Sequence, residues 1–228
     1  MAKQAWAELA EICLENGLTG GRILCPPRII PAPGQYLLAH DPASDSPLPA
    51  PIFLTSSAPN GFRIAPPIPA TWQPGSRLFL RGPLGRGFSL SASAQRVALA
   101  ALDGSPHRLL PVLESALAQN AAVTLLSEMV PANLPADVEV QPLIALPDAA
   151  DWADALYIDV ARESLFELWN MLEKREQVWA GKDAQALVRT PVPCGGMAEC
   201  GLCAVRIRHG WKMACKDGPV FDLRVLKG

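Results

Sequence analysis

Up to about residue 93 the apolar positions come in short runs that alternate with turn residues: AEICLE, GRILC, QYLLA, PIFLT, FRIA and RLFLRG, each set off by Pro, Gly, Asn or Ser. Period-two runs of this length, with so much proline and glycine between them, predict a small antiparallel barrel. The opening QAWAELAEICLEN has a second reading as a helix, because Trp6, Leu9 and Cys13 fall on one helical face.

From Arg96 the pattern changes. RVALAAL reads as a buried strand. Ser105 then stands as an N-cap with Pro106 at the first helical position, followed by the apolar stripe Leu109, Val112, Leu113, Ala116 and Leu117. AVTLL is the next strand. A proline-punctuated linker from Pro131 to Pro147 carries the short run VEV, and ALYIDV supplies another strand. Leu165, Leu168, Trp169, Leu172 and Trp179 mark a long amphipathic helix. Strands and helices in this order predict a parallel sheet with right-handed crossovers, as in nucleotide-binding folds.

Half of the 228 residues are apolar, 18% are charged and the net charge is −2, a composition that predicts a folded chain with substantial cores. That charge gives no bias toward nucleic acid or anionic membrane. No apolar stretch reaches the length of a membrane span. Glu8 and Glu11 interrupt any signal-peptide core in MAKQAWAELAEI, so a cytoplasmic location is expected. His40, His107 and His209 are scattered, without an H-E-x-x-H pattern or a nucleophile elbow, and are expected at the surface or at helix ends.

Chemistry concentrates at the C-terminus, where Cys194, Cys200, Cys203 and Cys215 lie in PCGGMAECGLCAVRIRHGWKMACKDGPVF. The spacing is close to the C-x4-C-x2-C…C arrangement in which a glycine-rich loop and one distant cysteine hold a 2Fe-2S cluster, with one extra residue in the first gap. Gly195, Gly196, Ala198 and Gly201 would let the chain wrap tightly and point backbone N–H groups at the sulfurs. Zinc is an alternative, although zinc sites usually show paired C-x2-C knuckles and only one such pair exists here; disulfides are a third reading. Cys13 and Cys25 lie in apolar runs and read as buried small hydrophobes.

The stretch Cys215 to Phe221, C-K-D-G-P-V-F, resembles the end of the electron-transfer subunit of dihydroorotate dehydrogenase, a family of the ferredoxin-reductase superfamily. Pro33 to Tyr36 resembles that family's P-G-Q-F strand, and Gly82 to Phe88 its G-P-L-G-x-G-F strand-loop. The resemblance implies a flavin-domain-like β-barrel over 1–93, a nucleotide-binding-like α/β domain over 94–185 and a small 2Fe-2S cysteine-loop domain over 186–228. The expected fold class is thus all-β plus α/β. In such relatives electrons pass from NADH through FAD and the cluster to a flavoprotein catalytic subunit.

This chain departs from the family at both nucleotide sites. Ala101, Leu102 and Asp103 stand where relatives carry a glycine run for the pyrophosphate, and Asp159, Val160 and Ala161 replace Cys-Gly-Pro beside the nicotinamide. No NAD binding is expected. The Arg-x-x-Ser type segment that supports a flavin becomes LPAPIFLT, with Ala50 and Pro51 near the arginine position and Phe53 near the serine. FAD would need Arg63 or Arg77 as a substitute from a neighbouring strand. The expected function is an iron–sulfur electron-transfer subunit, part of a hetero-oligomer with a redox partner protein such as a flavoprotein dehydrogenase. The alternative is a non-catalytic assembly or regulatory subunit with a structural metal.

Overall fold

A computed structural model describes residues 2–172 and 181–226. The N-terminal strands are β1 (Lys3–Glu15), β2 (Leu18–Leu24), β3 (Tyr36–His40), β4 (Ala50–Ala58), β5 (Gly61–Ile64) and β6 (Arg77–Leu84). They close into an antiparallel barrel in the order β1-β2-β5-β4-β3-β6. Strand alternation assigns the two faces. Along β1, Ala5, Ala7 and Leu9 are buried while Gln4, Trp6 and Glu8 are exposed, so the helical alternative for this segment gives way to a strand. Leu9, Ile23, Leu37, Phe62, Leu78 and Leu80 fill the barrel; each contributes about 1.5–3 kcal/mol by leaving water.

The second layer is a six-stranded sheet in the order β14-β11-β10-β7-β8-β9. Its strands are β7 (Arg96–Ala101), β8 (Ala122–Leu126), β9 (Glu139–Gln141), β10 (Ala155–Ala161), β11 (Asp183–Arg189) and β14 (Val220–Asp222). All pairs are parallel except β11 with β14. Helix α1 (Leu110–Ala118) covers one face, meeting Val97, Leu99, Val123 and Tyr157. Helices α2 (Leu146–Trp152) and α3 (Leu165–Met171) cover the other, meeting Ala98, Ala100, Leu156 and Ile158. Burial on both faces explains why β10 reads as a continuous apolar run. Trp179, expected on the last long helix, lies outside the described residues. Among the described residues no helix is long and apolar enough to cross a membrane.

The remaining elements are β12 (Ala204–Ile207), β13 (Gly210–Met213) and the single turn α4 (Ala214–Asp217). They do not form a detached module. Strand β14 follows them and pairs Val220 with Leu187 and Phe221 with Ala186 on β11. One hydrophobic cluster joins Ile158, Leu168 and Ala186 to Cys203, Val205, Cys215 and Phe221, and reaches Tyr36 and Leu38 on the outer face of the barrel. The strand-loop after β6 is stitched to the sheet as well: Tyr157 Oη donates to Ser89 O at 3.3 Å, and Gln185 Nε2 to Ser89 O at 2.7 Å.

Candidate metal centre

The hairpin β12–β13 brings the distant cysteine back to the loop. Ala204 pairs with Met213, which places Cys203 at the open end of the hairpin beside Ala214, and Ala214 N donates to Cys203 O at 2.9 Å. Cys215 follows in α4. On the other side, the segment from Cys194 to Gly201 turns through left-handed backbone at Gly195, Gly196, Ala198 and Gly201. Glycine is required most clearly at Gly196: its φ is +77°, and an added Cβ would sit 3.1 Å from Tyr36 Oη.

These turns aim N–H groups inward. Burial raises the Cys194 thiol, but the N–H groups of Glu199, Cys200 and Met197, with the Cys200 side chain, bring its pKa down to about 6. Cys215 is pushed up to about 12, first by burial and then by the hydrogen bond and charge of Cys203, against one N–H from Ala198. The sulfurs thus act on one another in twos, Cys200 on Cys194 and Cys203 on Cys215. The pairs are near enough that the charge of Cys194 bears on Cys215. Among the described residues no three Cys, His, Asp or Glu side chains close around a single metal-ion point. Cys203 and Cys215 are buried, Cys194 is half-buried and Cys200 is exposed, so the site has a dry inner pair and a wet outer rim. Cys13 and Cys25 lie apart in the barrel; burial raises the Cys25 thiol to about 11.

The barrel supplies the wall of the site. Tyr36, pointing out of the barrel beside the inward-facing Leu37, is buried and donates from Oη to Cys215 O at 2.9 Å. Its pKa is raised by burial, then by Cys215, Cys203 and Cys194, and is lowered by Arg81. Arg81 Nη1 donates to Gly195 O at 2.9 Å. Glycine is also required at Gly85, φ +72°, where a Cβ would lie 2.5 Å from Gly218 O; there Arg86 N donates to Gly218 O, joining the G-P-L-G loop to C-K-D-G-P.

Beside Cys215 a cleft of about 420 Å³ opens between barrel and sheet, lined among others by Tyr36, Pro51, Phe53, Ile68, Arg108 and Arg189. Neither arginine singled out in the sequence lines it. Arg63 is held by Glu11 at 3.3 Å and donates to Cys13 Sγ at 3.2 Å, and Arg77 stacks over Trp6 at 5.1 Å. Arg108 and Arg189 take the inner end instead, both donating to the buried Asp159 at 2.8 Å. The loop after β7 is closed by the chain's own groups: Arg189 Nη2 donates to Leu102 O at 2.7 Å, and Ala161 N to Asp103 Oδ2 at 3.2 Å. Sequence reasoning missed Arg108 and Arg189; the available signal was Asp159, a lone carboxylate in an apolar strand that must find a buried cation.

A closed antiparallel barrel followed by a parallel sheet, with a cysteine loop between them, defines a ferredoxin-reductase-like fold. Residues 194–227 match the family model described as the iron-sulfur cluster binding domain of dihydroorotate dehydrogenase B. That match covers the C-terminal segment, well short of half the chain. Among solved structures, the NADH-dependent reduced ferredoxin-NADP oxidoreductase, described for flavin-based electron bifurcation, is 16% identical with a TM-score of 0.68, over 94% of this chain and 87% of that one. The ferredoxin reductase in carbazole 1,9a-dioxygenase is 16% identical with a TM-score of 0.62, over 81% and 69%. Ferredoxin-NADP+ reductase from Plasmodium falciparum is 9% identical with a TM-score of 0.56, over 78% and 94%. No curated protein matches the chain. The fold and the C-terminal domain agree with the resemblance carried by C-K-D-G-P-V-F.

Proposed function

We propose that this chain is the electron-transfer subunit of a two-component oxidoreductase, holding a 2Fe-2S cluster on Cys194, Cys200, Cys203 and Cys215. The observation that carries the proposal is the convergence of the four cysteines on one site, where the hairpin returns Cys215 to the loop and Cys200 bears on Cys194 as Cys203 bears on Cys215. Each iron of such a cluster takes two thiolates in addition to the bridging sulfides, so two thiol pairs side by side suit two irons better than one tetrahedral zinc. When bound, the cluster supplies one-electron storage. The chain's own contribution is to hold Cys194 ready as a thiolate, to offer N–H groups to Cys194 and Cys215, and to exclude water from Cys203 and Cys215.

The cleft does not fit a flavin held in the manner the family resemblance implies, because Pro51 and Phe53 stand at the polar positions of β4 and both cleft arginines already serve Asp159. The loop after β7 does not fit a dinucleotide pyrophosphate, since Asp103 faces it and Arg189 fastens it. Electrons then exchange with a partner protein, for which the likeness of residues 194–227 to a dihydroorotate dehydrogenase domain favours a flavoprotein catalytic subunit in a hetero-oligomer. A cytoplasmic location keeps thiols reduced and suits this chemistry.

The test is anaerobic purification with iron, sulfide, zinc and flavin measured together. About two irons and two sulfides per chain, with a rhombic EPR signal after dithionite, are expected. A colourless protein holding about one zinc would overturn the proposal in favour of a structural metal in an assembly or regulatory subunit.

A further inference from the structure

Two barrel side chains reach the cysteine loop, one beside each thiol pair. Arg81 and Tyr36 project from the adjoining strands β6 and β3, whose register sets Leu38 opposite Arg81 and Tyr36 opposite Leu84. Arg81 Nη1 meets the carbonyl of Gly195, next in sequence to Cys194, at 2.9 Å; an added Cβ on Gly195 would be 3.5 Å from that same nitrogen. Tyr36 Oη meets the carbonyl of Cys215 itself. Arg81 is only half-exposed, and among the described residues no carboxylate pairs with it. It is therefore a positive charge fixed against the loop and left unneutralised.

Four surface arginines are used differently. Arg22, Arg96, Arg162 and Arg224 each face a carboxylate within 3.0 Å, so their charge is cancelled locally. Arg81 donates to a neutral carbonyl, and no neighbouring carboxylate among the described residues cancels its charge, which is screened only by solvent. A cation held at the loop, and a hydroxyl whose proton points at the backbone of Cys215, both favour the state that carries one more negative charge.

We infer that Arg81 and Tyr36 are positioning residues that raise the reduction potential of the cysteine-bound centre, Arg81 through its charge and Tyr36 through its hydroxyl. They thereby couple the barrel to the redox site without contact to the metal. Adding one electron to the oxidised cluster adds one negative charge and breaks no bond; the electron comes from dithionite in the experiment below. The inference rests on the proposed cluster assignment.

The experiment is a midpoint-potential titration, followed by EPR and visible absorption, of full-length wild type, R81Q, R81K and Y36F, all reconstituted with ferrous iron and sulfide. R81Q should be harder to reduce by about tenfold in the equilibrium constant, equivalent to about 59 mV for one electron. R81K should stay near wild type, and Y36F should shift in the R81Q direction by a smaller factor. An R81Q potential equal to wild type overturns the inference, as does an R81K shift as large as that of R81Q, which would assign the effect to geometry rather than charge. Should R81Q assemble no cluster, Y36F decides, since Phe preserves the ring packing: an unchanged potential overturns the inference. A wild-type chain that takes up no iron refutes the cluster assignment instead, so the two failures are distinct.

Discussion

Asp159 receives a hydrogen bond from Arg108 at 2.8 Å in the middle of an otherwise apolar strand, with its own side chain only 1% exposed. Arg189 donates to its second oxygen at the same distance, and Arg108 extends to Pro66 O at 3.4 Å and over the ring of Phe53 at 5.7 Å. One carboxylate thus holds two guanidiniums, Arg189 within the sheet and Arg108, which carries the link on to the barrel. Removing it leaves the largely buried Arg108 without a counter-charge and Arg189 with only Asp103 at 3.7 Å. Asp159→Asn should lower the unfolding free energy by about 3–5 kcal/mol, the cost of breaking a buried pair from one side. Urea unfolding measures it; a loss under about 1 kcal/mol would mean that water replaces the carboxylate and that the cleft is wetter than the structure indicates.

Glu15 gives the fold a dependence on acid. Burial raises its carboxyl, yet the Ala132 N–H at 2.6 Å and then the hydrogen bond and charge of His107 outweigh that and hold it below the ordinary 4.5. A depressed folded pKa means that the stabilisation is present in full above about pH 4.5 and is lost as pH falls through the lower folded value. The thermal midpoint of Glu15→Gln should therefore lie below that of wild type at pH 7, and the two should converge on going to pH 3. Parallel curves across that range would show that Glu15 titrates alike in both states.

The barrel was legible because alternation is a strong signal over short strands: every one of its apolar runs became a strand, although β1 starts at Lys3 rather than near Ala10. Strands β7, β8 and β10 were legible for a different reason, as apolar runs buried on both faces, and the Ser105 cap was legible too, its Oγ accepting from His107 N. Helix α2 was hidden inside the presumed linker because Pro147 in its first turn reads as a break, although that position tolerates proline. β11 begins at Asp183 and β14 returns to pair with it, so the segment expected as a separate domain completes the central sheet; short edge strands carry too few residues to show a period. His107, expected at the surface or at a helix end, does lie in the first turn after Ser105, but it is buried between Ser105 and Glu15, a consequence of tertiary packing that no local pattern encodes. The cysteines could be found from spacing alone. Their partners Tyr36 and Arg81 could not, since a pairing between the barrel and the C-terminal loop leaves no trace in either segment.

Gly196 sets a limit on how the loop can be altered. Its φ of +77° is open to glycine and strained for other residues, and a Cβ there would press on Tyr36 Oη at 3.1 Å. Gly196→Ala should cost about 1 kcal/mol in backbone strain and, by pushing the phenol from Cys215 O, should reduce iron retention after gel filtration. Iron bound at wild-type stoichiometry and with a wild-type off-rate would show that the loop relaxes freely.

The inner and outer cysteines differ in what they do for the fold, which separates ligation from packing. Cys203 is fully buried in the cluster that joins the sheet to the barrel, whereas Cys200 is exposed. In metal-free protein, Cys203→Ala should cost about 1 kcal/mol through the lost sulfur contacts, and Cys200→Ala should change stability by less than about 0.5 kcal/mol, as surface replacements do. In reconstituted protein both should lose the visible absorption and the EPR signal, because each removes one thiolate from a pair. Equal effects on the apo fold with unequal effects on iron would mean that packing, not coordination, brings these cysteines together; a Cys203→Ala chain that keeps the same cluster would remove that residue from the ligand set.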